Sequence, residues 1–136
     1  MTAGKAFFDT SVLLYLFSPD AKKADRVEQL LSAGGFIGVQ VLSEFTSVAR
    51  RKLGMSWEEI AEALQAIREL CRVEPLREHT HDLAFELAAR YGLSWYDAMI
   101  AASARLAECD TLYTEDMHNG LVVDQLKLLN PFRRSR

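Results

Sequence analysis

Four acidic side chains from distant parts of the chain have the residue types expected for metal-dependent chemistry: Asp9, Glu44, Asp97 and Asp116. Four carboxylates in one crevice repel one another and raise one another's pKa values unless a cation neutralises them. Ligand sets made only of oxygen select hard cations, so we expect Mg²⁺ or Mn²⁺ rather than zinc. This chemistry requires a fold that brings the four segments together.

Short apolar runs alternate with helical patterns along the whole sequence. Strands are predicted at residues 5–8, 36–39, 71–76, 111–114 and 127–129, and helices at 12–17, 21–32, 40–52, 56–70, 80–91 and 94–108. Pro75 confines the third strand to an edge or an end of the sheet. Strands separated by helices indicate an α/β fold, with a short, mostly parallel central sheet flanked by helices.

In such sheets the functional crevice lies beyond the carboxyl ends of the strands. Asp9 ends the first strand and Asp116 follows the fourth, while Glu44 and Asp97 lie in the first turns of helices. Glu115 is an alternative to Asp116 as the fourth acid. Taken singly, Asp9 also suits a helix cap, Asp97 an acid in the first turn of a helix, and Asp116 a turn residue. Taken together at one rim, they predict a metal pocket.

Composition limits the classes of protein that fit. The 136 residues carry a net charge of -3 and are 49% apolar, which predicts one domain over 1–136 with a short basic tail at 133–136. The sequence has no apolar run long enough to span a membrane and no export signal, so we expect a cytoplasmic protein. Cys71 and Cys109 lack ligand spacing and are predicted to be reduced core thiols. The mild acidity does not exclude a nucleic-acid partner, because four pocket carboxylates set aside leave +1.

Four segments carry a resemblance to a known family. They are FFDTSVLLYL (7–16), VLSEF (41–45), SWYDAMIAASA (94–104) and LYTEDM (112–117). Their order and spacing resemble a PIN domain across nearly the whole chain, and in particular the VapC-type ribonuclease toxins of bacterial toxin–antitoxin pairs. The ending LKLLNPF is also similar to that family.

The resemblance implies an endoribonuclease that depends on Mg²⁺ or Mn²⁺. Asp9, Glu44, Asp97 and Asp116 would be its acidic quartet. It also implies a homodimer and a separate antitoxin protein whose C-terminal segment covers the acidic groove. Hydroxyl groups that would hydrogen-bond the carboxylates and their waters are those of Thr10, Ser11 and Thr114. Candidate contacts to the RNA backbone are the basic cluster Arg50, Arg51 and Lys52 and the arginines of the basic tail, Arg133, Arg134 and Arg136.

Two other functions fit parts of the sequence. A PIN-like module that binds RNA or protein without cutting is the main alternative. A phosphatase of the haloacid dehalogenase superfamily, with Asp9 as its nucleophile, fits less well. That superfamily has a second aspartate two residues after the nucleophile, where this sequence has Ser11. Four aromatic residues that a binding module would use for base stacking are instead predicted to pack in the core or in a dimer: Phe45, Trp57, Trp95 and Tyr96. Three histidines without ligand spacing are predicted on the surface: His79, His81 and His118.

Overall fold

Six short strands form one sheet in the computed structural model, which describes residues 5–133. The strands are β1 (Ala6–Phe8), β2 (Gly35–Gly38), β3 (Cys71–Glu74), β4 (Thr111–Tyr113), β5 (Val122–Val123) and β6 (Leu126–Leu129). Their order in the sheet is β3-β2-β1-β4-β6-β5, and all neighbouring pairs are parallel except β5 with β6. The predicted mostly parallel sheet is confirmed, and β3 lies at its edge as Pro75 required.

Six helices flank the sheet: α1 (Thr10–Leu13), α2 (Ala21–Leu31), α3 (Val39–Arg51), α4 (Trp57–Leu70), α5 (Glu78–Tyr91) and α6 (Trp95–Leu106). A 3₁₀ turn over Leu14–Phe17 extends α1. The alanine-rich helix α6 packs against four strands and against α5. Ala98, Ala101 and Ala102 are fully buried there, and their small side chains allow a close approach to the sheet. Phe7 and Phe8 of the central strand β1 are also fully buried.

Local signals explain several helix ends. The Ser56 hydroxyl accepts from the Glu59 amide, and the Glu59 carboxylate accepts from the Ser56 amide, which is the predicted capping box of α4. Gly92 ends α5 with φ at +70°, a conformation in which glycine lacks the steric penalty of other residues. The predicted start of α5 is wrong by two residues. Thr80 lies inside the helix, and its hydroxyl accepts from the Arg77 amide just before it.

Several sequence predictions concern single side chains. Cys71 and Cys109 are buried free thiols, as predicted, and all three histidines are exposed. Core packing is confirmed for Phe45, which is fully buried, and is wrong for Trp57, Trp95 and Tyr96, which are 61%, 38% and 70% exposed in the first turns of their helices. Packing of these three residues in a dimer stays a prediction. The predicted basic tail falls outside the described residues except for Arg133, which is exposed. Within residues 5–133, no helix combines the length and apolar character needed to span a bilayer.

Candidate active site

Asp9 lies at the carboxyl end of the central strand and is almost completely buried, with 5% exposure. Its amide donates to the Tyr113 carbonyl at 3.0 Å, which continues the pairing of β1 with β4. One carboxylate oxygen accepts from the Thr10 amide at 2.8 Å and caps α1. The other accepts from the hydroxyls of Thr114 at 2.8 Å and Ser11 at 3.2 Å. The side chain is therefore both a helix cap and a fixed anion at the sheet edge.

The electrostatic surroundings of Asp9 disfavour its charge. Burial raises the pKa of this carboxyl from its usual 3.8 to about 6, and the hydrogen bonds from Thr114 and Thr10 only partly offset that effect. The negative charges of Glu44 and Asp116 raise the pKa further. A shift of this kind in a cleft is typical of a functional group that lacks a positive partner.

The other three acids line the same cavity as Asp9, which has a volume of about 490 Å³. Glu44 projects from α3, where its Oε1 accepts from the Gln40 amide group at 2.8 Å. Asp97 lies in the first turn of α6, two residues after its first residue. Asp116 follows β4, and its backbone amide donates to the Thr114 hydroxyl at 3.3 Å. Four distant segments thus place one carboxylate each at one rim of the sheet.

Asp116 carries the same kind of perturbation as Asp9. The residue is exposed overall, yet partial loss of solvent around its carboxyl raises the pKa. The charges of Glu115, Asp97 and Glu44 raise it further. The described residues that line this cavity include five carboxylates and no lysine, arginine or histidine. The negative charge that the cavity lining carries is therefore not compensated by any cationic side chain among these lining residues.

Glu115 also lines the cavity but has its own partners. Its carboxylate accepts from the Tyr15 hydroxyl at 2.6 Å and from the Lys23 ammonium group at 2.9 Å. Burial raises the Glu115 pKa, but these hydrogen bonds and the Lys23 charge outweigh it, so that the pKa lies below its usual value. Sequence reasoning missed Tyr15 and Lys23, which lie about 100 and 92 residues from Glu115 in the chain. It also missed Gln40, although the spacing of four residues to Glu44 on a helix is a signal for such a pair.

The donor set fits a hard divalent cation. All nearby ligand atoms are oxygens, and the Thr10 hydroxyl at the cavity is buried without a hydrogen-bond partner. Across residues 5–133, no three acidic, histidine or cysteine side chains converge closely enough to chelate an ion directly. The carboxylates instead line a cavity with room for water, which is how Mg²⁺ is commonly held, through few carboxylates and several waters.

The three predicted RNA contacts lie at the end of α3 and do not line the cavity. Arg50 donates to the Met55 carbonyl at 3.1 Å and stacks over the Trp57 ring. Arg51 donates to the Ser47 hydroxyl at 3.0 Å, and Lys52 is exposed. Val48 and Leu53, on either side of this basic cluster, do reach the cavity.

Comparison with known proteins gives the family. The sequence matches the model of the PIN domain family over residues 6–118. The chain belongs to the PIN domain family. The matched segment contains all four acids and the strands β1 to β4 that position them.

Solved structures share this PIN fold at low sequence identity. A toxin–antitoxin complex from Klebsiella pneumoniae is 20% identical, with a TM-score of 0.73, and the match covers 96% of this chain and 100% of that chain. FitAcB from Neisseria gonorrhoeae is 16% identical, with a TM-score of 0.70 and coverage of 95% and 99%. VapC20 from Mycobacterium tuberculosis, described as a sarcin–ricin loop cleaving toxin, is 23% identical, with a TM-score of 0.63 and coverage of 82% and 90%. No curated protein matches the sequence.

Proposed function

We propose that this PIN domain is an endoribonuclease that depends on Mg²⁺ or Mn²⁺ and acts as the toxin of a toxin–antitoxin pair. The observation that carries the proposal is the cavity in which Asp9, Glu44, Asp97 and Asp116 meet from four separate segments. Their mutual repulsion and the raised pKa values of Asp9 and Asp116 favour a bound divalent cation.

The side chains divide the work of such a site. Asp9 and Asp97 would hold the ion directly or through water, and Glu44 and Asp116 would complete the site or orient its waters. When bound, the ion supplies an activated water and neutralises charge on the phosphate. Ser11 and Thr114 fix Asp9 through their hydroxyls, which donate to one of its carboxylate oxygens at 3.2 and 2.8 Å.

Asp116 rather than Glu115 is the proposed fourth acid. Glu115 is neutralised by Lys23 and hydrogen-bonded by Tyr15, so both of its oxygens are engaged. No cationic side chain among the described lining residues accompanies Asp116, and the charges of Asp97 and Glu44 raise its pKa. Asp116 would therefore contribute more electrostatic binding free energy to a divalent cation than Glu115 would.

The proposed partners follow from the resemblance and from the solved relatives. Several of these solved structures are toxin–antitoxin complexes, and one protein is described as a sarcin–ricin loop cleaving toxin. We propose RNA as the substrate, a separate antitoxin as the inhibitor, a homodimer as the working form and the cytoplasm as the location. Arg50, Arg51 and Lys52 remain proposed backbone contacts outside the cavity.

Cleavage of a mixed RNA pool tests the proposal. Wild-type protein is incubated with Mg²⁺, with Mn²⁺ or with EDTA, beside Asp97→Asn and the control Asp25→Asn, an exposed aspartate of α2. We expect cuts that need the metal, persist in the Asp25 variant and disappear in the Asp97 variant. Cleavage that survives both EDTA and Asp97→Asn would show that this cavity is not the active site.

A non-catalytic binding module is the second candidate, and one observation favours it. No three carboxylates in residues 5–133 are close enough to chelate an ion directly. That module would bind RNA or a protein without cutting any RNA in the pool, even when Mn²⁺ is bound. The phosphatase alternative fits less well, because the position of its second aspartate is taken by Ser11, whose hydroxyl donates to Asp9 at 3.2 Å.

A further inference from the structure

A second cavity, of about 540 Å³, lies between α2 and the segment after β6. Its charged lining residues are Asp20, Lys22, Lys23, Arg26 and Arg133. The Asp20 carboxylate is engaged at the start of α2, where it accepts from the Lys23 amide at 3.2 Å. The cavity therefore has four cationic side chains, and the carboxylate among them already serves as a helix cap. We call it the basic cleft.

The basic cleft adjoins the acidic cavity, and the side chains of Lys23, Tyr15 and Glu115 form the wall between them. Lys23 lines the basic cleft, while Tyr15 and Glu115 line the acidic cavity. The Lys23 ammonium group lies 2.9 Å from the Glu115 carboxylate and 3.2 Å from the Tyr15 hydroxyl. It also stacks over the rings of Tyr15 and Phe132, at 4.4 and 4.9 Å from their centroids. The acidic cavity and the basic cleft therefore meet at the side chains of Lys23, Tyr15 and Glu115.

Two cations of the basic cleft are free to bind a ligand. Arg26 donates to the Pro131 carbonyl and to the Gln29 side chain, and Lys23 is paired with Glu115. Lys22 and Arg133 are exposed and make no side-chain hydrogen bond or ion pair with the residues that the structure describes. They project into the cleft from α2 and from the segment after β6. A phosphate group that enters the basic cleft therefore meets two cations that no described carboxylate engages.

We propose that the basic cleft binds the phosphate backbone of an RNA strand next to the bond that is cut. The inference rests on the proposed nuclease function. The four carboxylates at the acidic cavity other than Glu115 repel the strand, so its flanking phosphates need cations nearby. Lys22 and Arg133 supply these cations. The wall formed by Lys23, Tyr15 and Glu115 sets the distance between the flanking phosphate and the bond that is cut. Contacts of this kind position the strand and carry no base specificity.

Binding of a fluorescein-labelled single-stranded RNA, measured by anisotropy in EDTA, tests the proposal. The background is Asp97→Asn, and the test variant adds Lys22→Ala and Arg133→Ala. The matched control adds Arg68→Ala and Arg72→Ala, two exposed arginines on α4 and β3. Each phosphate contact to a single strand contributes about 0.7 to the slope of log affinity against log salt. We expect the test variant to bind about 25-fold more weakly at 0.1 M salt, with a slope lower by about 1.4, and the control to change less than twofold.

A third variant, Arg51→Ala with Lys52→Ala, separates the basic cleft from the basic cluster at the end of α3. A loss confined to that variant, or an equal loss in test and control variants, overturns the proposal. So does RNA affinity that is unchanged in the test variant while affinity for a poly-glutamate peptide falls, because the basic cleft would then receive an acidic protein segment.

Cleavage of the RNA pool by the wild-type protein is measured alongside. If the wild-type protein shows metal-dependent cleavage while the test variant binds RNA as tightly as its background, the basic-cleft proposal is overturned and the nuclease proposal is retained. If the wild-type protein neither cleaves nor binds RNA, the nuclease proposal and the basic-cleft proposal are both overturned.

Discussion

Glu115 and Asp116 are neighbours in the chain, but their carboxylates have different surroundings. Glu115 is held by Tyr15 and Lys23, which lower its pKa below the usual value although burial acts in the opposite direction. No lysine, arginine or histidine among the described residues lines the cavity beside Asp116, and partial desolvation and three nearby acids raise its pKa. Adjacent carboxylates therefore serve one structural and one proposed metal-binding purpose.

Exchanging each carboxylate for its amide separates these purposes. We expect Asp116→Asn to lower metal-dependent RNA cleavage about 10- to 100-fold, as for groups that orient a metal or its waters. Glu115→Gln should lower it less than about threefold, because its amide can still accept from Lys23. Initial rates at saturating Mn²⁺ provide the measurement. The opposite ranking of the two variants would assign the fourth acid to Glu115.

The raised pKa of Asp9 predicts how stability depends on pH. Its folded pKa of about 6 exceeds the usual 3.8, so the folded state binds more protons between these values and the metal-free protein becomes less stable as pH rises through them. Asp9→Asn should therefore stabilise the metal-free protein at pH 7.5, by up to about 3 kcal/mol, and have little effect at pH 3.5.

Urea unfolding in EDTA at these two pH values measures the effect. Asp25→Asn, at an exposed position of α2, serves as the control and should change stability little at either pH. A variant of Asp9 that is less stable than wild type at pH 7.5 would show that the hydrogen bonds of this carboxylate outweigh its desolvation.

At the scale of elements, the pairing of β1 with β4 determines the centre of the site. Phe8 is in register with Tyr113, so the next residues of both strands, Asp9 and Thr114, lie side by side at the sheet edge. The Thr114 hydroxyl then donates to Asp9 at 2.8 Å. Its hydrogen bond is the largest of the effects that lower the Asp9 pKa.

Thr114→Val removes that donor with little change in volume. We expect a higher Asp9 pKa, a stability loss of about 1–2 kcal/mol and weaker Mn²⁺ binding at pH 6.5, because protons then compete better with the ion. The rise in melting temperature on adding Mn²⁺ at pH 6.5 and pH 8 measures this. Thr111→Val at the start of the same strand is the control, since its hydroxyl contacts only Asp110. Equal Mn²⁺ shifts in both variants would contradict this role of Thr114.

Most elements could be predicted from the sequence because their signals are local. Apolar runs mark β1, β2 and β4, and the caps Ser56 and Ser94 mark the starts of two helices. The two-residue strand β5 was missed because it is too short to show periodicity. Its hairpin turn also uses Asp124 at φ +55° rather than a glycine, so it lacks a clear turn signal.

The site divides in the same way. The positions of the acids could be predicted because Asp9 and Asp116 follow strands while Asp97 and Glu44 lie in the first two turns of helices, and the topology of a parallel sheet brings such positions to one edge. The Lys23 pairing with Glu115 and the basic cleft were not, since they depend on contacts between α2 and the end of the described chain. Nothing in a single sequence marks which side chains meet across such a distance.

At the scale of the whole molecule, charge is separated by region. The chain carries -3, and the acidic cavity holds five carboxylates, so everything else sums to +2. The acidic cavity and the basic cleft are two sides of one wall. A polyanion is therefore attracted to the surface around the acidic cavity and repelled from its centre until a cation is bound.

Large aromatic side chains also remain exposed, and the proposed dimer would cover some of them. Phe85 and Tyr96 are 66% and 70% exposed, on α5 and α6, which pack against each other. We expect static light scattering after size-exclusion chromatography to give twice the 15.3 kDa of the chain. Phe85→Ser should shift the mass toward the monomer if α5 forms the interface, with Thr111→Val as the unaffected control. A wild-type mass of one chain at every concentration would rule out the dimer.

The short strands at the two ends of the sheet have a consequence for aggregation. An exposed strand edge can pair with another chain and seed fibrils, and proteins prevent this with brief strands, charges and proline. The strand β5 offers two residues, and β3 offers four, with exposed Arg72 among them and Pro75 directly after. A single chain therefore presents little backbone for a second copy to extend into a growing sheet.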